Sequence, residues 1–129
     1  MDLVNHLGRA GDPVLRQQLA DIWIHANVAR YTNLRAMEKI KAGQLPGPEM
    51  SIAKLSMTNN LRRISSFLTG ALGLRLTADT GEWGTYAWSE LILGVPGVRV
   101  AGGTDEVMKN IVGERVLGLP KEPPVAASG

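Results

Sequence analysis

The chain contains no cysteine. Disulfides, thiolate nucleophiles and cysteine-based zinc sites are therefore excluded. Aromatic residues are scarce, at 5%, with a single phenylalanine. A core made from this composition rests on aliphatic packing, and its frequent Leu and Ala favour helices over sheets. The two histidines, His6 and His25, are too few for a His-rich metal site. No apolar stretch reaches the roughly 18 residues that span a bilayer. Met1-Asp2-Leu3-Val4-Asn5 lacks the basic start and apolar run of a signal peptide, so a cytoplasmic compartment is the default. A charge of one sign is also lacking. The net charge is +2, from 14 basic and 12 acidic residues. The signs are mixed along the chain rather than gathered in a basic patch, which predicts no nucleic-acid partner.

What is present suits one globular domain: 129 residues, 44% apolar and 20% charged. Asp12-Pro13 reads as a helix start, with Asp12 as N-cap and Pro13 in the first turn. No Gly or Pro follows until Gly43. Leu15, Leu19, Ile22, Ala26 and Ala29 step by four and three, and Met37 and Ile40 continue the stripe. The pattern predicts one long amphipathic helix. Gln44-Leu45-Pro46-Gly47-Pro48 reads as a turn, with Pro48 opening a second helix and Glu49 in its first turn. Ala53, Met57, Leu61, Ile64, Leu68 and Ala71 repeat the spacing, and Gly70 and Gly73 mark the end.

The glycine-containing stretch Thr77 to Gly84 reads as a loop. A short third helix is expected from Trp83 to Leu93, broken by Gly94-Val95-Pro96-Gly97, with Val98-Arg99-Val100 extended or irregular. Gly102-Gly103-Thr104 starts a fourth helix whose apolar face is Val107, Met108, Ile111, Val112 and Val116, stopped by Gly118 and Pro120. Leu3, Val4 and Leu7 share a face and suggest the remnant of an earlier helix. The expected fold is all-α, a four-helix up-and-down bundle over residues 1–120, followed by a mobile Pro- and Ala-rich tail over 121–129.

Four constellations could carry chemistry. Gly102-Gly103-Thr104-Asp105-Glu106 pairs backbone freedom with a helix start, a combination that can cradle a phosphate. The same residues also make an ordinary cap, with Thr104 capping and Asp105 and Glu106 complementing the dipole. On spacing alone capping is preferred, since both carboxylates would compete with an anion. Asp21 and His25, four apart, could be a metal pair or dyad, but an exposed hydrogen bond suffices. Arg62-Arg63 could be an anion patch, or one solvated Arg and one paired with a carboxylate on a neighbouring helix. Trp83 and Trp88 read as core or interface.

The unbroken run from Gly102 to Pro120, GGTDEVMKNIVGERVLGLP, resembles the C-terminal signature of acyl-CoA dehydrogenases. In that family a Gly-Thr-x-Glu stretch opens the last helix, and Asn-Ile-x-x-Glu-Arg-x-Leu-Gly-Leu-Pro endings are common. The upstream order of long helix, Pro-Gly-Pro turn and second long helix is also similar. The resemblance covers about residues 1 to 122 and implies the family's C-terminal helical domain with part of its first helix missing.

It further implies a role in α,β-dehydrogenation of an acyl-CoA thioester, an oxidoreductase reaction of fatty acid metabolism in which FAD takes the hydride. The signature's Gly and Thr, and the residue two beyond the Thr, lie against FAD in the family. The matching positions are Gly103, Thr104 and Glu106. Many members carry their catalytic Glu just before the Gly-Thr, where this chain has Gly102, so no residue here matches a catalytic base. A second family motif sets Gln before paired glycines. Phe67-Leu68-Thr69-Gly70-Ala71-Leu72-Gly73 departs from it by lacking the Gln. The resemblance implies an inactive piece when isolated, and a homo-oligomer formed through the bundle, with Trp88, Leu91 and Phe67 as expected contacts. The alternative is a non-catalytic helical partner subunit related to these enzymes.

Overall fold

The computed structural model describes residues 2–45, 47–121 and 123. Among these residues there are helices and connecting loops and no strand. A short α1 (Asp2–His6) leads into α2 (Pro13–Lys41). Then come α3 (Glu49–Leu72), α4 (Ser89–Val100) and α5 (Asp105–Ile111), the last continuing as a π-helical turn over Val112–Val116. The four longer helices α2 to α5 correspond to those expected, and the shared face of Leu3, Val4 and Leu7 falls on the short helix α1 and the turn after it. Of the 121–129 tail only residues 121 and 123 are described, and of the first turn Pro46 lies outside the described residues.

Local chemistry sets most helix ends. The Asp12 carboxylate accepts from the N–H groups of Val14 (2.9 Å) and Leu15 (3.2 Å), capping α2 behind Pro13. Lys39 and Lys41 occupy the last turn of α2, where cations are favoured. The hairpin is closed by an ion pair between Lys39 and Glu49, which opens α3. Gly70 lies inside α3, and Gly73 ends it at φ +53°, a left-handed value that glycine adopts without strain. Gly118 at φ +68° ends the last helix, with the Leu119 N–H donating back to the Gly113 carbonyl at 2.9 Å.

α3 is the central helix and packs against α2, α4 and α5. The core lies at one end of the hairpin. It joins Leu3 and Val4 of α1, Leu15 of α2, and Phe67, Leu68, Ala71 and Leu72 of α3, with Leu91 and Ile92 of α4 packed against it. Arg9 locks this end. Its guanidinium donates to the Gly70 and Ala71 carbonyls and to Asp12 at 2.6 Å, joining the end of α3 to the cap of α2. Towards the other end, the predicted stripes of α2 and α3 open into an apolar groove of about 530 Å³ lined by Ala26, Ala29, Met37, Ala53, Met57 and Leu61.

Two expectations need correction. The third helix starts at Ser89, not Trp83, because Gly84 (φ +81°) and Tyr86 (φ +52°) hold backbone conformations that no α-helix contains. It also runs through Gly94-Val95-Pro96-Gly97 to Val100. Pro96 removes one helical hydrogen bond at a cost of about 3 kcal/mol. Burial of Val95 and an ion pair from Arg99 to α5 hold the helical course beyond it.

Candidate functional site

The signature residues come together where α5 begins. Gly102 and Gly103 have φ of +67° and +106°. A Cβ on Gly102 would meet nothing within 4 Å, so its backbone is bare to solvent. On Gly103 a Cβ would reach the Met108 methyl at 2.6 Å, which this flexible side chain would have to move to relieve, so it is the φ that favours glycine there. Thr104 is the N-cap, its hydroxyl oxygen accepting from the Val107 N–H at 3.3 Å. The capping reading of this segment is therefore correct as far as it goes.

The two carboxylates after Thr104 point apart. Asp105 is turned inward, 4% exposed. It accepts from the Thr58 hydroxyl of α3 at 2.9 Å and from Arg99 Nε of α4 at 2.7 Å. Hydrogen bonding to Arg99 foremost, and to Thr58, holds its carboxyl below the usual aspartate value against the opposing effect of desolvation. Glu106 is exposed, and its carboxyl is lowered by its own backbone N–H and the Thr104 hydroxyl. Both contacts favour the ionised form of Glu106. The expected competition of both acids with an anion is thus reduced to one, since Asp105 is already neutralised. Lys54 completes the surroundings by donating to the Gly103 carbonyl from α3.

Sequence reasoning missed Lys54, Thr58 and Arg99. Lys54 and Thr58 lie four apart on one face of α3, a weak sign that polar groups meet something there. Nothing in the spacing pairs either of them with Asp105.

The other constellations are structural. Arg63 donates to Asp21 at 2.9 Å and to His25 Nε2 at 3.0 Å, linking α3 to α2. Arg62 is exposed. That is the expected division between one solvated and one paired Arg. Trp83 stacks edge-on against His6 with ring centroids 4.8 Å apart, and both it and Trp88 are exposed. Neither tryptophan is a core residue of this chain. Phe67 is 6% exposed and belongs to the core, so it is unable to serve as a contact residue, and Leu91 is half-buried. No group of three or more metal-ligating side chains occurs among the described residues. Nor is any described helix long and apolar enough to cross a membrane.

The carboxylates define the acid response. Asp12 is lowered mainly by Arg9, Glu49 by Lys39 and Asp105 by Arg99. A lowered folded-state value contributes stability above the unfolded value that is lost as pH falls through the folded one. The melting temperature is expected to stay level from about pH 7 to 5 and to fall below about pH 4. In Asp105→Asn the starting value should be lower and the acid drop shallower, as read by circular dichroism. An equally steep drop would show that Asp105 carries none of the response.

The family described as acyl-CoA dehydrogenase, C-terminal domain, matches residues 6–117. Acyl-CoA dehydrogenase IpdE1 of Mycolicibacterium smegmatis is 31% identical over 123 residues, covering 95% of this chain and 30% of the relative. Its namesake from Mycobacterium tuberculosis is 30% identical over 129 residues, covering 95% of this chain and 31% of the relative. The chain thus spans about a third of the length of these curated relatives. No solved structure matches it significantly.

Proposed function

Because the chain belongs to the acyl-CoA dehydrogenase family, corresponding to its C-terminal domain, we propose that it serves as the helical part of an FAD-dependent enzyme that α,β-dehydrogenates an acyl-CoA thioester in the cytoplasm, in fatty acid metabolism. In this reading Gly103, Thr104 and Glu106 contact FAD, which accepts the hydride. The observation that carries it is the turn itself. Bare glycine backbone, an N-cap hydroxyl and an outward Glu106 stand together at one exposed edge, with Asp105 withdrawn from it. These residues fit a ligand of FAD's kind, which needs close backbone approach and hydrogen-bonding groups.

The chain supplies no proton-abstracting group in this reading, since Gly102 occupies the position at which many members carry their Glu. A base from elsewhere in the enzyme, or a partner subunit, must provide it. Gly102 equally suits the alternative of a non-catalytic helical partner.

The apolar groove between α2 and α3 supports a truncated first helix. The side-chain oxygen of Asn60, buried there without a partner, would be satisfied by a covering segment. The opposite side of α2 exposes Ile24 at 54%, Val28 at 56% and Tyr31 at 62%, and such a face suits homo-oligomer contacts.

The test is Thr104→Val in a complete enzyme containing this segment. The shape is kept and the hydroxyl is lost. One neutral hydrogen bond is worth about 0.5–1.5 kcal/mol, so flavin retention after dialysis is expected to weaken by roughly two- to tenfold. Unchanged retention would make Thr104 a cap and nothing more.

A further inference from the structure

We propose that Thr58 and Arg99, acting through the buried Asp105 carboxylate, are positioning residues that set the orientation of the Gly103–Thr104 turn and of Glu106. The proposal rests on the reading that this turn contacts FAD.

The geometry leaves few other ways to hold the turn. Thr104 spends its hydroxyl on its own helix, accepting from the Val107 N–H and bonding the Glu106 carboxylate. Glu106 is exposed. Asp105 between them is the residue that reaches the body of the protein. One carboxylate oxygen takes the Thr58 hydroxyl at 2.9 Å and the other takes Arg99 Nε at 2.7 Å. Thr58 is fully buried, with no exposed surface, so its hydroxyl has no water to turn to. Lys54, one turn before Thr58 on α3, holds the Gly103 carbonyl on the preceding side. Successive residues of a helix diverge by about 100° around its axis. Pinning Asp105 inward therefore sends Thr104 and Glu106 to its two sides, towards the exposed edge. Freed, the same carboxylate could turn outward to the edge where an anionic ligand would come.

Stability alone is a poor reason for this arrangement. Buried ion pairs often contribute less than apolar residues of similar volume, because desolvation offsets the attraction, and orientation is what a two-pronged carboxylate adds.

The test compares Thr58→Val, Thr58→Ser and Asp105→Asn with Thr104→Val. In the full chain, amide hydrogen exchange of Val107 and Met108, both bonded to Thr104, should accelerate by at least about tenfold in Thr58→Val, the lower end of what one hydrogen bond to a charged group is worth. Amides of the α3 core around Leu72 should not change, and Thr58→Ser should restore protection. In the complete flavoenzyme, Thr58→Val should weaken flavin binding by a similar factor, again rescued by Ser. Asp105→Asn should act in the same direction, and it stands in for Thr58→Val if that variant does not fold. Acceleration spread evenly over the chain would overturn the proposal, leaving a stability role. Flavin binding weakened by Thr104→Val but untouched by Thr58→Val would overturn it too, with the contact reading intact. If Thr104→Val has no effect on flavin, the contact reading fails, and with it the purpose assigned to the network.

Discussion

Replacing Leu68 by alanine is expected to destabilise the chain by about 2–5 kcal/mol. Leu68 is 3% exposed and stands in the cluster where α1, α2 and α3 meet. The lost transfer energy and the cavity left behind both count, and neighbours drawn from three helices have little freedom to close the gap. Domains of this size are stable by only about 5–15 kcal/mol, so the change removes a large part of the total. The urea midpoint should fall sharply. Leu74→Ala, at a position 86% exposed, should leave it within about 0.5 kcal/mol of the parent. A Leu68→Ala midpoint matching that of Leu74→Ala would place the core elsewhere.

The purified chain, given excess FAD and then freed of unbound flavin, is expected to show no stoichiometric flavin band and no bleaching with an acyl-CoA. It matches only 30–31% of the length of its curated relatives. In this reading the flavin is sheltered by parts of the enzyme that the match does not include. Catalysis needs a base within hydrogen-bond reach of the α-proton. Gly102 has no side chain to take a proton. Asp105 is committed to Arg99 and Thr58, and the basicity of Glu106 is lowered by its own N–H and Thr104. The measurement is the visible spectrum after gel filtration, which also reports size and so tests self-association through α2. A flavin band that bleaches on adding an acyl-CoA would show that these helices suffice.

The ligand role proposed for the signature rests on resemblance alone, because a capped helix start looks the same whether or not a cofactor lies against it. Capping accounts for Thr104 completely in terms of hydrogen bonds already made. The inward turn of Asp105 had no sequence sign, since Asp105 and Glu106 are adjacent acids with equal claims on the helix dipole. Their difference comes from what α3 and α4 place beside one of them.

Where an interaction spans only a few residues, the sequence by itself determined the outcome. Asp12-Pro13 begins α2 because the cap and its amides are three residues apart, and Gly73 and Gly118 end helices because only glycine takes those backbone angles freely. The apolar stripes of α2 and α3 likewise set the hairpin, since side chains four and three apart share a face. The tertiary structure decided the rest. It carried α4 through Pro96, delayed that helix past Tyr86, buried Phe67 in the core and left Trp83 and Trp88 exposed. It also joined Arg9 to the end of α3 across 61 residues and Thr58 to Asp105 across 47. Such pairings depend on which faces meet once the helices pack, and no spacing along the chain encodes a contact between residues so far apart.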